Sequence, residues 1–219
     1  MNEERVSKLI LANPPKSPTS AFVLYGAGSC GKSCTLQHLI VLLCGGGKRD
    51  PAIQKTFEKA FYDSKYNRYR DADVVVHYHT KDNKTIHIYI STNGDSWPIV
   101  EDNFRFFYHC IRRQHKVYEF NGKDFVEHYE NGLKQLDRPK FCITAANYTH
   151  FGGIQAAHYY LDLTCEDWQR ERWIRKYKNS NQGEPIQGYT KCKRIRKIHE
   201  KIAMKIIEEI DRMINETLI

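Results

Sequence analysis

The eight residues Gly26-Ala27-Gly28-Ser29-Cys30-Gly31-Lys32-Ser33 constrain this chain more than any other stretch, because they fit G-x-x-x-x-G-K-[ST] between two regular elements. The apolar run from Ala21 to Tyr25 reads as a buried strand, and Cys34 to Cys44 reads as a mostly apolar helix. Glycines let the backbone turn tightly and bring its N–H groups against a polyphosphate, where side chains would block the approach. The N-terminus of the following helix directs partial positive charge toward the same anion. In that arrangement Lys32 reaches the β- and γ-phosphates and the hydroxyl of Ser33 ligates Mg²⁺.

The segment resembles the Walker A loop of the P-loop NTPase superfamily. The resemblance is tight over this stretch and loose elsewhere, so it indicates a superfamily and not a substrate. It implies a Mg-nucleoside triphosphate ligand on an α/β sheet. The nucleotide-binding set it marks is Gly26, Ala27, Gly28, Ser29, Cys30, Gly31, Lys32, Ser33 and Cys34.

The chain has 219 residues, enough for one domain with an appended helical piece. With 41% hydrophobic and 27% charged residues it has the composition of an ordinary globular protein. It contains no run of about 18 apolar residues that would span a membrane. The charged start Met1-Asn2-Glu3-Glu4-Arg5 does not read as a secretory signal. Seven cysteines, with no C-x-x-C pair among them, fit a reduced, cytoplasmic compartment better than a disulfide framework. Cys30 has two readings, as a thiol acidified by the helix N-terminus and Lys32, or as a plain small residue in the loop. Thirty-four basic and 26 acidic residues give a net charge of +8, which favours anionic partners, a nucleotide among them.

Residues 4–12 carry a short amphipathic helical pattern, and a proline-rich linker from Asn13 to Pro18 leads to the first strand. Gly45-Gly46-Gly47 stops the helix after the loop, and Asp50-Pro51 reads as an N-cap and first helical residue of a helix reaching about Tyr62. The stretch from Tyr62 to Arg70 has no clear period and reads as loop or frayed helix. Ala72 to Thr80 and Thr85 to Ser91 read as an antiparallel hairpin. His77 and His79 share one of its faces with His87 nearby, which suits either a metal site or plain solvent-facing positions.

Thr92-Asn93-Gly94-Asp95-Ser96-Trp97-Pro98 follows that hairpin and opens a helix to about Arg113. A loop at the carboxyl end of a strand beside the phosphate loop is where α/β folds place ligand chemistry. Asp95 is the candidate for a second acidic group at the Mg²⁺ site or for orienting an attacking water, and its competing role is helix N-cap. The hairpin ending in Ser91-Thr92-Asn93-Gly94 is similar to the small-GTPase layout, in which such a strand ends in D-x-x-G. Ser91 stands where the metal-associated aspartate would be, and no N-K-x-D signature follows the strand Phe141 to Ala146, which argues against guanine specificity.

Asn121 to Leu136 reads as a helix, and so does Ile154 to Tyr160. The loop between Ala146 and Ile154 offers Asn147 and Thr149 as base or substrate contacts, or as a structural turn. The run from Trp168 to Lys178 is basic with interleaved aromatics. Arg170, Arg172 and Arg175 would serve a lid over a transferring phosphoryl group, or the run would hold nucleic acid, or its tryptophans would pack inward beneath a solvated basic face. A final helix from Thr190 to about Asn215 carries an apolar stripe of Ile195, Ile198, Ile202, Ile206, Ile210 and Met213, suited to packing on the sheet or on a second subunit as a homodimer. Its first half is basic, opposite to the preference of the helix dipole, so that end suits a partner.

The expected fold is a three-layer α/β P-loop domain over residues 1–188, with residues 1–20 as N-terminal helix and linker. Its sheet is mostly parallel, with the antiparallel hairpin at 72–91, and helices flank it. Residues 189–219 form an amphipathic helix on the same domain or on a partner. The expected function is binding of a nucleoside triphosphate, ATP favoured, with Mg-dependent hydrolysis or phosphoryl transfer in which Lys32 and Asp95 are catalytic and Ser33 and Asp95 hold the metal. The alternative is a weakly catalytic nucleotide sensor that holds nucleic acid or a protein partner through the basic aromatic segment.

Overall fold

A computed structural model describes residues 20–26, 31–66, 68–80, 83–94, 99–100, 102–103, 116–128, 139–147, 159–162 and 193–216. The regular elements in chain order are β1 (Ser20–Gly26), α1 (Lys32–Cys44), α2 (Pro51–Phe61), β2 (Tyr62–Asp63), β3 (Arg68–Tyr69), β4 (Asp73–His79), β5 (Thr85–Ser91), β6 (Val117–Phe120), β7 (Phe125–His128), β8 (Phe141–Asn147), β9 (Tyr159–Asp162) and α3 (Lys193–Glu216). Seven strands form one mixed sheet in the order β7-β6-β4-β5-β8-β1-β9, and β2 and β3 pair separately.

Strand β1 lies between β8 and β9 and is parallel to both, and β8 is parallel to β5. The carboxyl ends of β1, β5, β8 and β9 therefore share one edge of the sheet. From β1 the chain crosses to the strands on one side and only at β9 returns to the other, so β1 stands at the switch point where open α/β sheets form a crevice. Strand β4 runs against β5 with Asp73 opposite Ser91, so its first residue lies at this same edge.

Strict alternation along β4 and β5 divides the sheet into two unlike faces. Val74, Val76, Ile88 and Ile90 join Leu24, Ile143 and Ala145 beneath the helices. Helix α1 has no glycine or proline and is apolar nearly all round in its second half, where Leu39, Ile40, Val41, Leu42 and Leu43 are all buried. Such a helix needs partners on more than one side. It has them, since α1 packs on the sheet and also against α3, whose Ile202, Ala203, Ile206, Ile207, Ile210 and Ile214 enter the same core. Burial of this stripe within the chain accounts for the three- and four-residue spacing of the isoleucines. The side chains of Ile195, Ile198 and Met213 lie outside the described residues.

Helix ends follow local chemistry. Asp50 accepts from the Ala52 N–H at 2.7 Å and Pro51 takes the first helical position of α2. At the end of α1, Gly47 N–H donates to Leu42 O at 2.8 Å and Gly46 N–H to Leu43 O at 3.1 Å, the paired bonds that close a helix through glycine.

Three expectations need correction. Asn121 to Leu136 does not begin as a helix, because Phe125–His128 is strand β7, antiparallel to β6. The Asn121 side chain accepts from the N–H groups of Lys123 and Asp124 at 3.0 and 2.9 Å, and this turn, with Asn-Gly at its start, outweighs the helical period. Tyr159 and Tyr160, expected to end a helix, begin β9, where pairing with β1 decides the conformation. The stretch from Tyr62 to Arg70 contains the short antiparallel pair β2 and β3, reinforced by Arg70 on Asp63 at 3.2 Å. Residues 98, 101, 104–113, 129–136, 154–158 and 190–192 of the expected helices lie outside the described residues, as does the segment 1–19.

Candidate functional site

The candidate site is the carboxyl edge of the sheet around the start of α1. Gly26 ends β1 and is paired in register with Asn147 at the end of β8. The fold thus brings together two positions that the sequence marks as candidates 121 residues apart. Residues 27–30 lie outside the described residues, and the site resumes at Gly31.

Gly31 is the N-cap of α1 with φ +97° and ψ 15°, a left-handed conformation that suits glycine. It has no side chain to cap the helix, and the first turn of α1 contains no acidic residue. Lys32, the first helical residue, is only 6% exposed. Burial opposes the solvation of this cation, and the helix dipole opposes its charge at the N-terminal end.

Ser33 follows, and its Oγ donates to the Thr92 carbonyl at 2.9 Å. This bond ties the start of α1 to the exit of β5, although β8 separates β5 from β1 in the sheet. Thr92 is itself fixed against the beginning of β4: its N–H donates to Ala72 O at 2.9 Å, and its Oγ1 accepts from Ala72 N–H at 2.8 Å. Two residues on, Gly94 lies so close to β8 that a Cβ there would stand 2.0 Å from Ala145 O. Only glycine permits that approach of the segment after β5 to β8.

On the sheet face away from α1, a buried polar group braces the same edge. Tyr89 Oη lies 3.2 Å from both Asp73 Oδ1 and Asn103 Oδ1. Asn103 spends its two amide protons on Asn93 O at 3.0 Å and Thr144 Oγ1 at 2.9 Å. Asp73, Tyr89, Ser91, Thr92, Asn103 and Thr144 are all buried. Their bonds join β4, β5, β8 and the helical residue Asn103 exactly where they are needed to fix the segment after β5.

The described residues of α3 reach the site through His199. Thr35 Oγ1 lies 3.0 Å from Gly31 O and 2.9 Å from His199 Nδ1. His38, one turn further along α1, stacks over the His199 ring at 6.3 Å and 19°. Burial, with the Arg49 charge second, lowers the His38 pKa from 6.5 to about 4.

Of the expected site residues, Gly26, Gly31, Lys32, Ser33 and Cys34 lie at or next to this edge, with Asn147 beside Gly26. Ala27, Gly28, Ser29, Cys30, Asp95, Thr149, Arg170, Arg172 and Arg175 lie outside the described residues. The histidines of the hairpin are elsewhere: His77 pairs with Glu119, its ring 4.3 Å from that of His87, while His79 Nδ1 meets Thr85 Oγ1 at 3.0 Å. Among the described residues, no group of three or more His, Cys, Asp or Glu is arranged to hold a metal ion. Thr35, Asn103 and His199 carried no motif, but His199 falls on the isoleucine stripe of α3 and its inward position was readable from that spacing.

No family model, curated protein or solved structure matches this chain. Among the described residues no helix is long and apolar enough to cross a membrane.

Proposed function

We propose that this protein binds a Mg-nucleoside triphosphate, ATP favoured, at the loop between β1 and α1, and hydrolyses it or transfers its terminal phosphoryl group. The observation that carries this reading is Lys32, buried at the first residue of a helix that lacks both a side-chain cap and an acidic first turn. A lysine and a helix N-terminus placed together in this way suit a polyphosphate.

Ser33 Oγ and the Thr92 carbonyl, 2.9 Å apart, are hard oxygen donors of the kind Mg²⁺ accepts. Mg²⁺ keeps several waters and takes phosphate oxygens as ligands, so it does not require a cage of protein carboxylates. In this reading Ser33 and Asp95 hold the metal, which supplies charge neutralisation on the phosphates when bound. Lys32 holds the β- and γ-phosphates and stabilises charge that develops between them. The amides at the start of α1 orient the chain of phosphates. Absence of an N-K-x-D sequence after β8 supports adenine over guanine.

Phosphate release from ATP, measured with purified protein in Mg²⁺ and in excess chelator, tests the reaction. Chelator should abolish release, and Ser33→Ala should lower it by about tenfold or more in Mg²⁺. Release that is indifferent to both would refute the assignment.

A further inference from the structure

The side chain of His199, on α3, meets the turn at Gly31. A Cβ built on Gly31 would stand 2.2 Å from His199 Cε1, 3.0 Å from Nε2 and 3.3 Å from Nδ1. The imidazole therefore occupies the space that any larger residue at Gly31 would need. His199 is 1% exposed, and its Nδ1 is 2.9 Å from Thr35 Oγ1. Gly31 O receives both the Thr35 N–H at 2.9 Å and the Thr35 hydroxyl at 3.0 Å. A hydroxyl has a single proton, so with that proton on Gly31 O it is His199 that donates, from Nδ1, to Thr35.

We propose that His199 is a positioning residue for nucleotide binding. It packs on the left-handed Gly31 and, through Thr35, anchors the Gly31 carbonyl, so that α3 holds the turn in the conformation that presents the amides of residues 31–33 to phosphate. The inference rests on the nucleotide-binding reading above. It adds to that reading a dependence on the C-terminal helix, more than 160 residues away in sequence from Gly31. A residue that served stability alone would lower the unfolding midpoint without changing the affinity of the folded protein. A positioning residue changes affinity in protein that remains folded.

The test is calorimetric titration of the full chain with Mg-ATP, for wild type, Lys32→Ala, His199→Ala, His199→Asn, Thr35→Val and the double variant Thr35→Val/His199→Ala. Circular dichroism confirms that each is folded at the working temperature. The proposal predicts that His199→Ala and Thr35→Val each weaken affinity by about tenfold, and that the double variant is no weaker than either, because the two act through one contact. His199→Asn, which keeps a donor near the position of Nδ1, should recover most of the loss. If Lys32→Ala abolishes binding while folded His199→Ala and Thr35→Val stay within about twofold of wild type, the positioning role is overturned and the nucleotide reading stands.

If wild type binds no nucleotide, the nucleotide reading fails separately, and amide hydrogen exchange decides the contact. Faster exchange at the residue-35 amide in His199→Ala and Thr35→Val, with β5 unchanged and His199→Asn close to wild type, would support His199 as the anchor of the turn. Unchanged exchange would overturn it. Should His199→Ala fail to fold, Thr35→Val carries both measurements, with His199→Asn as the variant that should stay close to wild type.

Discussion

The two faces of the sheet do different work. Beneath the helices, Leu36, Ile40, Ile88, Ile143 and Ile206 form a packed apolar layer with no polar requirement beyond filling space. On the opposite face the residues near the carboxyl edge are Asp73, Tyr89, Asn103 and Thr144, buried yet bonded to one another. An apolar contact resists unfolding without specifying direction, whereas a hydrogen-bonded group fixes the orientation of its members. The second face places directional contacts behind the candidate site, whereas the first is mostly apolar, with the Thr35–His199 and Tyr78–Asp211 contacts as polar exceptions. Changes among the apolar residues of the first face should therefore be felt mainly as stability, and changes on the second, like those at the Thr35–His199 contact, as stability together with ligand affinity.

The largest effect should come from the helical face. Leu36→Ala removes a fully buried side chain between α1 and its neighbours, and urea unfolding should show a loss of about 2–5 kcal/mol. Nucleotide affinity of the folded variant should change little. A comparable loss of affinity would collapse the distinction between the faces.

Asn103→Leu should cost less stability, about 1–3 kcal/mol, because it leaves Tyr89, Thr144 and the Asn93 carbonyl without their amide partner. It should nonetheless weaken nucleotide binding, since the segment from Thr92 to Gly94 loses its brace. Titration calorimetry beside the unfolding curve separates the two effects. Retained affinity would show that the polar face does not shape the site.

The pH dependence of stability gives a smaller effect, at the contact between α1 and α3. His38 has its pKa lowered from 6.5 to about 4 in the folded protein, first by burial and then by Arg49. Below the unfolded value the unfolded chain takes up a proton that the folded chain refuses, so this contribution is complete above about pH 6.5 and is lost as the pH falls toward 4. Its size is on the order of 1–2 kcal/mol once partial solvent screening is allowed for. His38→Gln should flatten the stability profile over that interval by this amount, read as the difference between wild-type and variant unfolding curves. Parallel profiles would remove His38 as the source.

Much of the fold was legible in the sequence where signals were local. The strand before Gly26, the helix to Cys44, the Asp50-Pro51 cap and the hairpin of β4 and β5 each follow from a few adjacent residues, and the structure has them. Strand β9 was not legible, because its four residues become a strand by pairing with the edge of β1, a partner more than 130 residues earlier. Strand β7 follows a local turn signal, Asn121-Gly122, and its pairing with β6 decides against the helix read from Asn121 to Leu136. The site divides in the same way. Lys32 and Ser33 stand in a motif whose chemistry is explicit, whereas Thr92 contributes a backbone carbonyl, which leaves no trace in residue type. Asn103 and His199 act through tertiary contacts, and an asparagine or histidine on a helix has many ordinary roles.

The central claim is that the turn leading into α1 binds the phosphates of a nucleotide through Lys32. Its most direct test is calorimetric titration of wild type and Lys32→Ala with ATP, GTP and their diphosphates, with and without Mg²⁺. The account predicts saturable, Mg-dependent binding of a triphosphate, tighter for ATP than for GTP, that Lys32→Ala abolishes in protein that remains folded. Equal binding by folded Lys32→Ala, or no binding of any nucleotide by wild type, would contradict it.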